Sequence, residues 1–301
     1  MVHSAKEVLM VEPARFYSNP QTVDDNAFQL APPGEGQGSM QVRASLEFAA
    51  YRKALEEAGV TVRLYRDYAQ NDTPDSIFPN NWFSTHHNST CVVYPMMAAN
   101  RRRERRPDIV NDLKQRYSEF IDLTAYEREG KILEGTGSLV LDRINRIAYA
   151  SLSQRTSPEL LAIWAERMNY RPVQFRSFDR FDREIYHTNV MMSIGTGFSA
   201  ICLDAIHDPA QRAAVIKSLE STGHEILPLT LEQVSHYCGN MIELQSLSGE
   251  ELLVMSRRAW LNLGDRCKDV LSRHGRIVQS DLGTIEDYGG GSARCMVAEL
   301  F

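Results

Sequence analysis

No two of the five cysteines, Cys91, Cys202, Cys238, Cys267 and Cys295, form a CxxC pair. Their scatter and odd count fit neither a disulfide framework nor a zinc site, and suit a reducing compartment. Long apolar runs are missing as well. No window approaches the roughly 18 residues of a membrane span, and the N-terminal MVHSAKEVLMVEPARF lacks the apolar core of a signal peptide. Nor is there an excess of positive charge: 33 Lys and Arg stand against 39 Asp and Glu, a net charge of −6 that argues against a general nucleic-acid binder. What is present is the composition of a globular protein, 301 residues with 43% hydrophobic. The expectation is a cytoplasmic protein with one sizeable core.

Along the chain, strand-like and helix-like segments alternate. EVLMV at residues 7–11 reads as a strand and is followed by a polar loop through APPGEGQGS, long enough for a lid or a connector. Ser39 is placed to cap a helix with Val42, Leu46, Ala49 and Ala50 on one face, which Gly59 stops. Val60 to Tyr65 then alternates like a half-buried strand. The order recurs with helices opened at Pro107, at Ser157-Pro158, at Asp208-Pro209 (Gln211 placed for a capping box) and at Ser256. Five units of strands around one helix predict a repeated α/β architecture, although residue identities do not repeat.

Six stretches carry candidate chemistry. Asp287 to Phe301, DYGGGSARCMVAELF, leads three glycines and a serine into Cys295. Glycine tolerates close backbone approach, so a ligand against the main chain and a fixed sulfur are one reading. A buried cysteine closing a terminal strand is the other. TPDSIFPNNWFSTHH, Thr73 to His87, places Asp75, Asn80 and Asn81 on a proline-broken loop, either as turn builders or as pocket groups. RRRERR, Arg101 to Arg106, reads as a solvated charge run unless one arginine turns inward to hold a carboxylate. LEGTGS puts Glu134 at a strand end, and SLSQR offers Arg155 as a second anion anchor. His187 in IYHTNVMMSIG reads alone as a satisfied histidine. Together with Cys295 and Glu134 it makes a nucleophile, a proton acceptor and an orienting carboxylate, each in a different unit.

The ordered set PDSIFPNN, RRRE, LEGTGS, LSQR, His187 and the late Cys295 resembles the guanidino-group-modifying (pentein) superfamily of arginine deiminase, amidinotransferases and dimethylarginine dimethylaminohydrolase. Within it the chain looks most like the bacterial citrulline hydrolases. The resemblance implies a five-bladed α/β propeller with pseudo-fivefold symmetry, forming one catalytic domain over residues 1–301. It implies Cys295 as nucleophile, His187 as general acid/base and Glu134 as the carboxylate orienting the histidine. Asp75 would hold the substrate α-amino group, and Arg101 and Arg155 its carboxylate. No metal or organic cofactor is implied. The partner is a small amino-acid substrate, with no nucleic acid and no membrane, and self-association stays open.

The departures bear on the substrate. Dimethylarginine hydrolases carry an acidic pair where this chain has Asn80 and Asn81, and arginine deiminases carry an Asp where it has Asn189. Carboxylates suit a guanidinium, whereas an amide offers both a donor and an acceptor to a neutral urea. The expected reaction is therefore hydrolysis of the ureido C–N bond of L-citrulline to ornithine, carbon dioxide and ammonia, through an S-carbamoyl cysteine. The alternative is an arginine or methylarginine hydrolase that forms citrulline. A translation factor that keeps ribosomal subunits apart shares the fold without this chemistry, so a binding protein remains on fold alone.

Overall fold

A computed structural model describes residues 3–23, 26–30 and 37–301. Residues 31–36, the middle of the polar loop read as a lid or connector, lie outside it.

The described residues form five three-stranded sheets, and each repeats one plan. Phe83–His86 turns back on Thr90–Val93, which pairs in parallel with Glu119–Asp122. Val140–Asp142, Ile147–Ser151 and Arg171–Phe175 repeat this arrangement. So do Met192–Ile194, Phe198–Ile201 and Glu225–Pro228, and then Ile242–Gln245, Glu251–Ser256 and Arg276–Ser280. In the remaining sheet Glu7–Glu12 pairs in parallel with Thr61–Arg66, and its antiparallel neighbour is the last strand, Ala298–Leu300, with Leu9 opposite Ala298. The two ends of the described chain thus meet in one sheet. Each parallel pair is joined by a helical crossover, because parallel strands cannot be linked by a tight turn.

Prolines open three of those crossovers: Pro107–Arg116, Pro158–Met168 and Pro209–Ser221. A missing N–H costs nothing in the first turn. Asp208 caps the last of these by accepting from Ala210 N and Gln211 N. The capping box itself does not form, since Gln211 Oε1 accepts from Arg176 N instead. The segment expected as one helix from Ser256 is two, Arg257–Asn262 and Asp265–His274.

The first helix, Gln37–Glu57, corrects the sequence reading. Ser39 lies inside it rather than at its cap. Its buried stripe is Met40, Ala44, Phe48, Tyr51 and Leu55, while Val42 and Leu46 are 59% and 66% exposed. Both stripes have helical spacing. The one carrying two aromatic rings removes more apolar area from water and so faces the core. Tyr51 also donates its hydroxyl to Ala293 O, which ties this helix to the chain entering Cys295.

No helix among the described residues is long and apolar enough to cross a membrane.

Candidate active site

Cys295, His187, Asp75, Asn81, Arg101 and Arg155 line one narrow cavity, together with Asn26, Phe78, Tyr186 and the three glycines Gly289, Gly290 and Gly291. The fold gathers them because each sits where a unit's chain crosses between elements. Asp75 precedes the 3₁₀ turn Pro79–Asn81, and Asn81 ends it. Arg101 opens another, Arg101–Glu104. Glu134 immediately precedes the short helix Gly135–Ser138, and His187 precedes Thr188–Met191. Cys295 lies in the turn before the last strand, not inside a strand, with its N–H on Ser292 O. The glycine run ahead of it lines the cavity as the sequence suggested, and Gly290 takes a left-handed φ of 67°.

Glu134 is fully buried and both its oxygens are engaged. Oε1 accepts from Met97 N at 2.9 Å, and Oε2 lies 2.9 Å from His187 Nε2 and 3.5 Å from Arg155 Nη1. Burial alone would push this carboxyl up. Arg155, the His187 hydrogen bond and Arg101 outweigh it and hold Glu134 well below the usual range. An ionised carboxylate only accepts, so Nε2 of His187 carries the proton and Nδ1 keeps its lone pair. Burial lowers the His187 pKa, against the pull of Glu134, which favours the neutral base. The ring lies tight against the LEGTGS turn. A Cβ on Gly137 would come within 2.7 Å of Nδ1 and 2.5 Å of Asn81 Nδ2, so no side chain fits there.

Asp75 Oδ2 accepts from Asn19 Nδ2 at 2.7 Å, while Oδ1 is buried without a partner. Burial raises its pKa, with Arg101 opposing. Of the RRRERR run, Arg101 does turn inward, but toward a carboxylate of its own chain: Nε and Nη2 donate to Glu104 at 2.8 and 3.1 Å. Its Nη1 donates to Asn81 Oδ1 at 2.9 Å. Arg155 stacks on Tyr186, 4.7 Å from the ring centre.

The three amides are differently placed. Asn81 Nδ2 donates to Asn80 Oδ1, and Asn80 Nδ2 is buried without a partner. Asn189 Nδ2 donates to Cys295 Sγ at 3.4 Å, and its Oδ1 has no partner. Asn80 and Asn189 therefore adjoin the cavity from behind rather than line it. Sequence reasoning missed Asn19, Asn26, Glu104 and Asn240, the last of which donates to Cys295 Sγ at 3.2 Å.

Glu286 was missed too. It sits in the helix Gly283–Gly289 and accepts from Ser292 Oγ at 2.6 Å, which anchors the turn carrying Cys295. Burial pushes its pKa up to about 7 from 4.5, against the hydrogen bonds of Ser256 and Ser292. The folded state therefore binds this proton more tightly than the unfolded one. The stabilisation is fully present below pH 4.5 and is lost as pH rises through about 7. Glu286→Gln should flatten that fall by on the order of 3 kcal/mol. Urea melts of both proteins at pH 5 and pH 8 check it, and parallel pH slopes would refute it.

A wider groove, lined by Phe28, Phe181, His236 and Asp287 among others, contains none of the expected site residues. Among the described residues no group of three or more His, Cys, Asp or Glu could hold a metal ion.

A buried Cys, a Glu-bound His and a carboxylate oxygen without a partner thus meet at one cavity of a five-sheet α/β frame. The model of the family described as N,N dimethylarginine dimethylhydrolase, eukaryotic, matches residues 12–301, and the chain belongs to that family. It is a hydrolase of the dimethylarginine hydrolase and arginine deiminase type, a class that acts on guanidino C–N bonds.

Solved structures share the fold. Apo ArgZ, an arginine dihydrolase from the ornithine-ammonia cycle in cyanobacteria, superposes with a TM-score of 0.76 at 16% identity, over 98% of this chain and 41% of that one. Its N-terminal domain bound to product gives 0.75 at 17% identity, over 98% and 97%. The dimethylarginine hydrolase of Pseudomonas aeruginosa, a mutant complexed with citrulline, gives 0.67 at 14%, over 99% and 100%. At such identities the likeness is one of fold. No curated protein matches the chain.

Proposed function

We propose that Cys295 attacks the terminal carbon of an arginine-type amino acid and that His187 handles the protons. The observation that carries this reading is the shared cavity: Cys295, the Glu134-bound His187 and the unpartnered Oδ1 of Asp75 all belong to it. His187 Nδ1 takes the Cys295 thiol proton, the thiolate forms an S–C bond, the C–N bond breaks, and the departing nitrogen takes that proton from Nδ1. A water then gives its proton to His187 and its hydroxyl to the carbon, and the C–S bond breaks. Asp75 Oδ1 receives the substrate ammonium. We assign the substrate carboxylate to Arg101 and Arg155, both of which line the cavity.

The family and the neighbouring folds back a guanidino substrate, arginine or an N-methylated arginine, with citrulline as product. The ureido reading, citrulline to ornithine, has its own support. Asn81 lines the cavity, and an amide there can offer a neutral urea both a donor and an acceptor, which a carboxylate cannot. The test is amino-acid analysis after incubation with L-arginine, Nω-methylarginine and L-citrulline separately. Citrulline from a guanidino substrate supports the first reading, and ornithine from citrulline alone supports the second. Turnover of none of them ends both.

The same reading makes the five sheets the blades of one catalytic propeller. Contacts between units support it: Ala5 bridges to Leu244, Arg143 Nη1 donates to Thr85 O, and Thr196 N donates to Glu243 Oε2.

A further inference from the structure

We propose that Asn240 holds the Cys295 sulfur as a thiolate aimed into the cavity, a role that rests on Cys295 being the nucleophile. Asn240 is fully buried, and its amide faces three groups of the site. Arg294 N donates to Oδ1 at 3.0 Å, and Nδ2 donates to Asn189 O at 2.9 Å and to Cys295 Sγ at 3.2 Å. The two backbone partners fix which way the amide points. An N–H demands the oxygen on one side, and a carbonyl demands the nitrogen on the other. The sulfur is therefore met by a donor. With Asn189 Nδ2 on it as well, Sγ receives two N–H groups, an arrangement that favours its charged form.

The local chain is built for this placement. Gly239 lies against the turn after His187, where a Cβ would come within 2.5 Å of Val190 O, so a side chain there would push Asn240 away from the sulfur. Tyr237 holds the other end through its hydroxyl, which donates to Glu286 O at 2.7 Å. One short segment thus links the histidine turn, the helix before the glycine run and the cysteine turn.

The test is the pH dependence of Cys295 alkylation by iodoacetamide, followed by peptide mass, in the wild type, Asn240→Asp and Asn240→Ala. The Asp variant keeps the acceptor for Arg294 N but sets an oxygen against the sulfur. The charged groups that face the sulfur across the cavity, His187, Asp75, Arg101 and Arg155, are unchanged, as are neighbouring Arg294 and the Tyr51 hydroxyl on Ala293. A difference between variants therefore reports Asn240. Burial pushes the Cys202 thiol up to about 11 and those of Cys91 and Cys238 to about 12, so these should stay unmodified and report an intact fold.

The alkylation midpoint should move up by on the order of one to two pH units in Asn240→Asp, and by less in Asn240→Ala. kcat/KM at neutral pH should fall by on the order of 10²-fold. If the Asp variant does not fold, the Ala variant carries the test. A wild-type midpoint in a folded variant overturns the proposal. Failure of the underlying reading looks different: Cys295→Ser would still turn over substrate, whatever the midpoints do.

Discussion

Cys295→Ala is expected to abolish turnover, a loss of about 10⁴-fold or more in kcat, while substrate binding persists. Asp75, Arg101 and Arg155 line the cavity from units other than that of the cysteine, so the groups that hold the amino acid survive the substitution. The sulfur is buried and sits between two amide donors. Truncation removes the only thiol in the cavity and puts nothing reactive in its place. The measurement pairs steady-state rates with calorimetric titration on the variant. A second readout follows from the covalent step: rapid acid quench of the wild type during turnover should show Cys295 carrying the substrate-derived group by mass spectrometry. Near-normal rates in the Ala variant would end the nucleophile assignment. Lost binding together with lost activity would instead make Cys295 a packing residue.

Cys295, His187 and Glu134 could be singled out because each is set beside a short turn of small residues, and the fold brings the first two to one cavity with Glu134 on the histidine. The partners that orient them could not. Glu104 stands within RRRERR, where a lone acid among arginines reads as surface charge; only the inward turn of Arg101 makes it a buried partner. Asn240 in YCGN reads as a turn residue, which Asn most often is. What marks it is the approach of Gly239 to Val190, a contact between segments some fifty positions apart. The first helix shows the same limit at the level of packing. Val42 and Leu46 and Ala44 and Phe48 are equally periodic, and the choice between the two stripes is made by what lies opposite, not by spacing. The five-unit plan was recoverable because it depends on element order. The pairing of Ala298–Leu300 with Glu7–Glu12 was not, since the partners lie at opposite ends of the described chain.

Glu134→Gln tests the proton chemistry most directly, and the expected loss is about 10³- to 10⁴-fold in kcat with little change in KM. Glu134 presents acceptors on both oxygens, to Met97 N and to His187 Nε2. A glutamine can offer only one. Its oxygen must face Met97 N, since a backbone N–H has no other form, and its NH₂ then points at the imidazole. His187 can meet that donor only by presenting a lone pair at Nε2, which moves its proton to Nδ1. The ring stays in place, wedged against Gly137, but the nitrogen left for the substrate has lost its lone pair. Arg101 keeps Glu104 and Asn81, so the cavity does not collapse. The split between the constants is therefore the diagnostic. A lost kcat with a kept KM fixes Glu134 as the residue that sets the tautomer. A raised KM at normal kcat would reassign it to holding substrate, and two unchanged constants would remove it from the mechanism.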